Sequence, residues 1–136
     1  MRQQIVFICM GNSCRSIMAE ALTRHLCPER WEAASAGTRP LGYITPETLQ
    51  VLAEIGVSTR GLSSKGLHQI NWQKQRVVVN LSGYSLVLRL PREFSGMLLD
   101  WQVDDPYGLG LETYRQTRDI LRGRILTEIV PWSGLA

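Results

Sequence analysis

The sequence lacks the features that mark several large classes of protein. Its three cysteines are an odd number, which argues against the paired disulfide framework of a small secreted domain. His25 and His68 lack the spacing of paired metal ligands, so we predict no metal site. No apolar run is long enough to span a membrane, and the first residues lack the apolar segment and cleavage site of a signal peptide. We therefore expect a cytoplasmic protein with no membrane partner and no cofactor.

An excess of charge of one sign is also missing. The net charge is only +3, and the basic residues are scattered, among them Arg89, Arg92, Arg115, Arg118, Arg122 and Arg124. This pattern is typical of solvated faces rather than of a nucleic-acid-binding surface. We predict no nucleic-acid partner, although a mildly basic surface favours the approach of small anions.

Strand-like and helix-like segments alternate along the chain. Without repeats or linkers, its 136 residues predict one domain over residues 1–136. Apolar and β-branched runs predict four strands, at Ile5–Cys9, Trp31–Ala36, Arg76–Leu81 and Met97–Trp101. Helical spacing predicts helices at Ser16–Leu26, from Thr45 as N-cap to Gly56 as stop, at Ser64–Trp72, and at Glu112–Val130. Such alternation implies an α/β fold with a parallel sheet and helices on both faces, which binds ligands beyond the carboxyl ends of its strands.

The apolar positions also predict which helix faces are buried. In the second helix the predicted buried face is formed by Leu49, Leu52, Ala53 and Ile55. In the last helix the residues that lie roughly on one side are Tyr114, Ile120, Leu121, Ile125 and Ile129.

The segment Cys-Met-Gly-Asn-Ser-Cys-Arg-Ser follows the first predicted strand and precedes the first predicted helix. Cys9 and Arg15 frame it as Cys-x5-Arg, with Met10, Gly11, Asn12, Ser13 and Cys14 between them. A thiol and a guanidinium at this spacing close a loop whose backbone N–H groups can hold a tetrahedral oxyanion. A nucleotide-type phosphate loop is disfavoured because no Gly-Lys-Ser or Gly-Lys-Thr follows.

The surroundings of this motif argue against a chance match. Gly11 suits a tight turn, Asn12 tolerates a left-handed backbone, and Ser16 stands at a helix cap position. The loop ends at a helix N-terminus, whose partial positive charge favours a thiolate over a thiol. The sequence therefore predicts a nucleophilic Cys9 and an anion clamp at Arg15.

A second cluster offers an acid for the same site. Asp104-Asp105-Pro106-Tyr107 is a turn-forming sequence after the fourth predicted strand, which places it at the carboxyl edge of the sheet. A thiolate that attacks a phosphate ester needs an acid for the leaving oxygen, and we assign that role to Asp105, whose backbone Pro106 restrains. One aspartate that merely caps the turn is the alternative. Tyr107 either walls the pocket and stacks on an aromatic ester or packs in the core.

These two motifs together resemble the low-molecular-weight protein tyrosine phosphatases and the thioredoxin-linked arsenate reductases that share their fold. The resemblance covers nearly the whole chain and is strongest at residues 5–20 and 101–119. It implies a four-stranded parallel sheet in the order 2-1-3-4.

The resemblance also implies roles for single residues. Cys9 would be the nucleophile, Arg15 would clamp the oxyanion and Asp105 would be the acid. Asn12 would hold the strained loop backbone, and Ser16 would donate a hydrogen bond to the thiolate. Inorganic phosphate-like or sulfate-like anions would bind the loop formed by Met10, Gly11, Asn12, Ser13, Cys14, Arg15 and Ser16.

The sequence departs from both branches of the family at identifiable positions. Ser13 replaces the apolar residue usual in the phosphatases, and the loop as a whole is more similar to the reductases. Ser82 and Leu90 stand where the reductases carry the two cysteines of their disulfide relay, so we expect no intramolecular relay. Leu62 replaces a histidine that supports the loop asparagine, and Lys65 replaces an aspartate that binds a monovalent cation in some reductases.

Several residues have two open interpretations. Cys14 resembles a loop cysteine that forms a reversible disulfide with the nucleophile Cys9, and its alternative role is packing. Glu20, Ser35 and Lys65 either line the back of the loop or, as we predict, are solvated or cap helices.

The sequence as a whole predicts a cysteine-dependent phosphatase acting on aryl phosphates. Its substrate would be a phosphorylated protein or a small aryl phosphate. Arsenate reduction with an external thiol is the alternative activity. A non-catalytic oxyanion-binding module is the alternative from a different class.

Overall fold

A four-stranded parallel sheet lies at the centre of the computed structural model, which describes residues 2–132. Its strands are β1 (Gln3–Cys9), β2 (Trp31–Gly37), β3 (Gln75–Asn80) and β4 (Met97–Asp100). The strand order β2-β1-β3-β4 confirms the predicted order 2-1-3-4. All four strands run in the same direction, so their carboxyl ends meet at one edge of the sheet.

The two central strands are buried on both faces because their sequences are continuously apolar. Ile5–Ile8 of β1 and Val77–Val79 of β3 have no exposed surface. Strands of this kind read as unbroken apolar runs rather than as alternating patterns. They fix β1 in the interior, so the loop that follows Cys9 starts from a rigid position.

Three α-helices pack against one another on one face of the sheet. They are α1 (Arg15–Leu26), α2 (Pro46–Glu54) and α3 (Leu111–Arg124). Within residues 2–132, no helix has the length and apolarity needed to cross a bilayer.

Short helical turns and a loop, rather than a long helix, cover the other face. The single helix predicted over Ser64–Trp72 is wrong, because the segment forms two 3-10 turns, Leu67–Gln69 and Trp72–Lys74. Ile70 between them has an extended backbone, with φ −94° and ψ 137°, which interrupts the helix. A β-bridge from Gly37 to Gly66 also ties the start of this segment to the sheet. Both faces are therefore covered by helical turns, but only one by α-helices.

The buried face of α2 differs from the predicted one. Leu49 and Ile55 are 37% and 36% exposed, whereas Thr48, Val51 and Leu52 are buried. The hydroxyl of Thr48 donates to the carbonyl of Ser13 at 2.9 Å, so α2 turns a polar side chain inward to hold the loop after β1. The helix is rotated by this bond away from the orientation that apolar spacing alone predicts.

The predicted last helix changes its geometry before its end. It is α-helical over Leu111–Arg124 and then forms a π-helical turn over Ile125–Ile129. Ile120, which was predicted to lie on the packed side, is 53% exposed, whereas Ile125 and Ile129 are fully buried. In a π turn the backbone hydrogen bond spans five residues rather than four, and this change shifts which side chains face the core.

Gly96, before β4, is required by a close approach of two backbone segments. An added Cβ would clash with the carbonyl oxygen of Arg76 and lie 2.7 Å from that of Gln75. We expect Gly96→Ala to lower the free energy of unfolding by about 1–3 kcal/mol, the usual cost of overpacking. Gly123→Ala is the matched control, because its Cβ meets no atom within 4 Å and it lies inside a helix. That change should raise stability by up to about 1 kcal/mol. Urea denaturation measures both, and equal effects would contradict the prediction.

Candidate active site

The segment between β1 and α1 forms a loop at the carboxyl edge of the sheet. Cys9 is the last residue of β1 and Arg15 is the first residue of α1, so the two ends of the Cys-x5-Arg motif are fixed by regular structure. The position of Ser16 corrects the sequence analysis. It lies inside the first turn of α1, whereas Cys14 occupies the N-cap position and makes no capping bond with its side chain.

The loop carbonyls are bonded to groups outside the loop. The N–H groups of Thr38, Arg39 and Leu41 donate to the carbonyls of Cys9, Met10 and Gly11 at 3.0, 2.8 and 3.0 Å. Thr45 and Thr48 bind the carbonyl of Ser13. By contrast, no backbone or side-chain acceptor among residues 2–132 is bonded to the N–H groups of residues 10–15. A loop with occupied carbonyls and free N–H groups is built to receive an anion.

Asn12 adopts the left-handed backbone that the sequence analysis predicted, with φ +47°. Its side-chain oxygen accepts the Lys65 N–H at 2.8 Å, which fixes the amide orientation. Its amide nitrogen then donates to the hydroxyls of Ser16 at 2.8 Å and Ser35 at 2.9 Å. Three hydrogen bonds therefore hold the one strained non-glycine backbone of residues 2–132.

Behind Asn12 lies a buried charged network that the sequence analysis placed in solvent. Ser35 is fully buried and donates to the carboxylate of Glu20 at 2.5 Å; Glu20 is 1% exposed and forms an ion pair with Arg24. Burial raises the pKa of Glu20, and the Ser35 hydrogen bond and the Arg24 charge oppose that rise. Burial lowers the pKa of Lys65, and the charge of Glu20 opposes that change. The prediction that Glu20 and Ser35 are solvated or cap helices is wrong, because a buried asparagine needs partners behind it.

The hydroxyl of Ser16 links this network to the nucleophile candidate. Its oxygen accepts the hydrogen bond from Asn12 and lies 2.8 Å from the sulfur of Cys9. Since Asn12 can only donate here, the Ser16 hydrogen is free to point at the sulfur. This geometry matches the hydrogen bond that the family resemblance implied for Ser16.

Arg15 is buried and pinned from two other segments. One terminal nitrogen donates to the carbonyls of Leu81, directly after β3, at 2.5 Å and of Val103, after β4, at 3.0 Å. The other terminal nitrogen lies 3.7 Å from a carboxylate oxygen of Asp105. The guanidinium is therefore held in one orientation at the edge of the loop, where a planar fork suits a tetrahedral anion.

A cavity of about 360 Å³ opens above the loop. Its lining brings together most of the predicted site residues and two that were not predicted: Cys9, Met10, Gly11, Ser13, Cys14, Arg15, Arg39, Leu41, Asp105 and Tyr107. Asp105 also accepts the N–H of Tyr107 at 3.1 Å, whereas Asp104 does not line the cavity.

Tyr107 forms part of the cavity mouth. It is 48% exposed, so it does not pack in the core. Its hydroxyl lies 2.8 Å from that of Tyr43, which is also 48% exposed. The pair joins the segment after β2 to the turn that carries Asp105.

The other two cysteines are buried but lie in different surroundings. The Cys14 sulfur lies 3.5 Å from the hydroxyl of Thr45 and 3.4 Å from that of Tyr114. Burial and the contact with Cys14 raise the pKa of Tyr114. A disulfide between Cys9 and Cys14 therefore requires the Cys14 thiol to leave these hydroxyls, and this redox pairing stays a prediction. Cys27 follows α1 at its far end.

Thr45 occupies the N-cap position of α2, which confirms the predicted helix start, but its side chain makes no capping bond. Its hydroxyl donates instead to the carbonyl of Ser13 at 3.3 Å. The helix start is thus used to hold the anion loop.

In the loop after β3, Ser82 stands at the first of the two positions expected for relay cysteines, and its side chain has a structural role. Ser82 is buried, and its hydroxyl donates to the side-chain oxygen of Asn80 at 2.7 Å. The three cysteines in residues 2–132 are all free, and none lies in this loop. Within the same residues, no group of three histidine, cysteine, aspartate or glutamate side chains is arranged to hold a metal ion.

Four site features were missed from sequence. Leu41, Arg39 and Tyr43 lie in an unremarkable segment after β2, and the carbonyls that hold Arg15 carry no side-chain signal. The segment reaches the loop because Gly37 has no side chain; a Cβ there would lie 2.5 Å from the carbonyl oxygen of Met10. The small residues Ser-Ala-Gly at the end of β2 are the only feature of the sequence that indicates this close contact between backbones.

Comparisons with known proteins match this chain to one phosphatase family and to arsenate reductases. The family model described as low molecular weight phosphotyrosine protein phosphatase matches residues 4–127. A glutaredoxin arsenate reductase of Synechocystis is 30% identical over 125 residues, covering 90% of this chain and 93% of the relative. An arsenate reductase of Halalkalibacterium halodurans is 31% identical over 132 residues, covering 93% and 94%.

Solved structures with the same architecture include both an arsenate reductase and a phosphatase. An arsenate reductase in the phosphate binding state superposes with a TM-score of 0.80 at 29% identity, covering 92% of this chain and 95% of that one. The YwlE arginine phosphatase from Geobacillus stearothermophilus gives 0.79 at 29% identity, covering 90% and 88%. The fold is therefore common to hydrolases and reductases.

The buried carboxyl of Glu20 should leave a signature in the pH dependence of stability. Because its pKa is raised above the ordinary value of 4.5, the folded protein binds this proton more tightly than the unfolded chain. Its contribution is then fully present below that value and is lost as the pH rises through the folded pKa. We expect the unfolding free energy of the wild type, relative to Glu20→Gln, to fall as the pH rises above 4.5 in urea titrations.

Glu93→Gln, at an exposed loop position, is the control for this measurement and should show no such pH-dependent difference. A wild-type advantage over Glu20→Gln that grows with pH would contradict the assignment.

Proposed function

Since the chain belongs to the low-molecular-weight phosphotyrosine protein phosphatase family, we propose that it hydrolyses aryl phosphate monoesters of the phosphotyrosine type. The observation that carries this proposal is the convergence of three groups in one cavity. The Cys9 thiol lies at its floor, the Arg15 guanidinium at its edge and the Asp105 carboxyl on its wall. A nucleophile, an anion clamp and a proton donor are what ester hydrolysis through a covalent intermediate needs.

In the first step the Cys9 thiolate attacks phosphorus in line with the ester oxygen. The S–P bond forms as the P–O bond breaks, and the free N–H groups of the loop and Arg15 hold the three equatorial oxygens. Asp105, in its protonated form, gives its proton to the leaving phenolate. The Ser16 hydroxyl stabilises the thiolate before attack, because its hydrogen is free to point at the sulfur and a thiolate can only accept.

In the second step a water molecule attacks the thiophosphoryl intermediate. The Asp105 carboxylate now accepts a proton from this water, and the S–P bond breaks. Inorganic phosphate leaves, the Cys9 thiolate is restored, and Asp105 is again protonated. No oxidant or reductant enters either step.

The walls of the cavity favour an aromatic ester carried by a protein or a small molecule. Leu41 and Tyr107 line the cavity and are about half exposed, and Tyr43, equally exposed, contacts the Tyr107 hydroxyl beside it, so the mouth has an apolar, aromatic rim. A phenyl ring entering with its phosphate on the loop would lie against these side chains.

Arsenate reduction is the second candidate, because the two relatives compared above are arsenate reductases by name and the same N–H cradle suits arsenate. Ser82 and Leu90 cannot form disulfides, and Cys14 is held by Thr45 and Tyr114. Such an activity would therefore need an external thiol as reductant. The YwlE neighbour suggests an N-phosphorylated arginine as a further substrate; Arg39 in the cavity lining disfavours its guanidinium.

A side-by-side assay tests the proposal. We expect the purified protein to release phosphate from phenyl phosphate and phosphotyrosine, and to cause no oxidation of thioredoxin when arsenate is added. Cys9→Ser should abolish phosphate release but keep phosphate binding, measured by calorimetry, because the N–H cradle and Arg15 remain. Cys27→Ser, at the far end of α1, should keep turnover.

Other outcomes of this assay point elsewhere. Turnover by the serine variant would remove Cys9 from the mechanism. Rapid thioredoxin oxidation would show a relay through Cys14 or Cys27. Phosphate binding without turnover of any ester by the wild type would leave the oxyanion-binding module as the function.

The assignment of the acid makes a separate prediction. Asp105→Asn should slow the hydrolysis of esters with poor leaving groups by about 10²–10⁴, the usual contribution of acid catalysis. Esters with good leaving groups should lose less in the burst of phenol release, because their oxygen needs no proton. Asp104→Asn is the matched control, since Asp104 does not line the cavity. A larger effect at Asp104 would show that the wrong member of the pair was assigned.

A further inference from the structure

The cavity contains a second arginine that the proposed chemistry does not use. Arg39 lines the cavity together with Cys9 and Arg15. Unlike Arg15, it is exposed, and its guanidinium forms no hydrogen bond or ion pair with residues 2–132. A cationic group that faces a ligand cavity without a protein partner is free to bind a group of the ligand.

Backbone hydrogen bonds hold the segment that carries Arg39 in a fixed position against the anion loop. Thr38, Arg39 and Leu41 are hydrogen-bonded through their N–H groups to three successive loop carbonyls, and the Gly42 N–H donates to the hydroxyl of Ser64 at 3.1 Å. Pro40 further restricts the chain within this segment. The segment therefore moves with the anion loop, which gives the Arg39 side chain a fixed origin beside the phosphate position.

The charges around the cavity mouth are divided between two sides. Arg39 lies on the segment after β2, and Arg89, from the loop after β3, reaches the same segment by donating to the carbonyl of Thr38 at 3.3 Å. The acidic residues Asp104 and Asp105 lie on the turn after β4, and Asp105 is closest to Arg15. A substrate bound across the mouth would thus meet positive charge on one side of its phosphate.

We propose that Arg39 binds a second anionic group of the substrate, next to the phosphoryl group that is transferred. This inference rests on the proposed function and narrows its substrate class to phosphorylated protein segments with an acidic neighbour. The neighbour is a carboxylate of aspartate or glutamate, or a second phosphate. Arg39 is then a specificity-determining residue, whereas Arg15 holds the reacting group.

A set of phosphopeptides identical except for one side chain tests this directly. Each peptide carries phosphotyrosine and has asparagine, aspartate or phosphoserine beside it; phenyl phosphate, which has no second anion, is the reference substrate. The protein is compared as wild type, Arg39→Gln, Arg39→Glu and Arg122→Gln. Arg122 is an exposed arginine on α3 outside the cavity lining, so its change matches the net charge of Arg39→Gln without touching the site.

We expect the wild type to prefer the aspartate peptide to the asparagine peptide by about fivefold in kcat/KM, the size of a good partly exposed ion pair. Arg39→Gln should remove this preference and Arg39→Glu should reverse it, mainly through KM. Turnover of phenyl phosphate by each variant gives the effect of the charge change on the phosphoryl group alone, and the peptide preference is measured as a ratio within each variant. Arg122→Gln should keep the full preference. A larger preference for phosphoserine than for aspartate would identify phosphate as the second group.

The same comparison without turnover separates this inference from the proposed function. The Cys9→Ser variant, alone and combined with Arg39→Gln, is titrated with the three peptides by calorimetry. If phenyl phosphate is hydrolysed but the aspartate and asparagine peptides are equivalent in kcat/KM and in affinity, the role of Arg39 is wrong and the phosphatase stands. If no ester is hydrolysed, the phosphatase is wrong, and the affinity ratio with and without Arg39 still decides whether a second anion is bound. A preference that survives Arg39→Gln also overturns the inference.

Discussion

The site depends on the direction in which the peptide groups of the loop after β1 point. Carbonyls of that loop are bonded outward to the segment after β2 and to α2, so its N–H groups are left to face the cavity. Asn12 makes this reversal possible by accepting a left-handed backbone, and three hydrogen bonds hold it there. A loop in which these bonds were lost would turn its carbonyl oxygens toward an anion and repel it.

The rest of the architecture supplies the partners for that arrangement. Gly37 lets the segment after β2 approach the loop closely enough to bond its carbonyls. The ends of β3 and β4 provide the carbonyls that orient Arg15. The parallel sheet is the reason that these segments meet, because all strand ends of one polarity lie at one edge.

Buried charge lies behind the loop and exposed charge in front of it. Glu20 is desolvated and compensated by Ser35 and Arg24, so it contributes to holding Asn12 rather than to binding a ligand. Arg39, in contrast to Glu20, is exposed to solvent and to the cavity, and its guanidinium has no partner in residues 2–132. The first arrangement constrains the loop, and the second leaves a group available for recognition.

The sequence by itself indicated the four strands and the candidate nucleophile, because unbroken apolar runs and the Cys-x5-Arg spacing are local signals. The strand order followed only from the family resemblance that the paired motifs carry. The sequence also indicated Asp105, through a turn sequence at the correct sheet edge. Only the tertiary structure decided that Glu20 and Ser35 are buried, that α2 turns Thr48 inward, and that Arg39 reaches the cavity. These features depend on contacts between segments that are far apart in the chain. The backbone carbonyls that orient Arg15 carry no sequence signal either, because every residue has one.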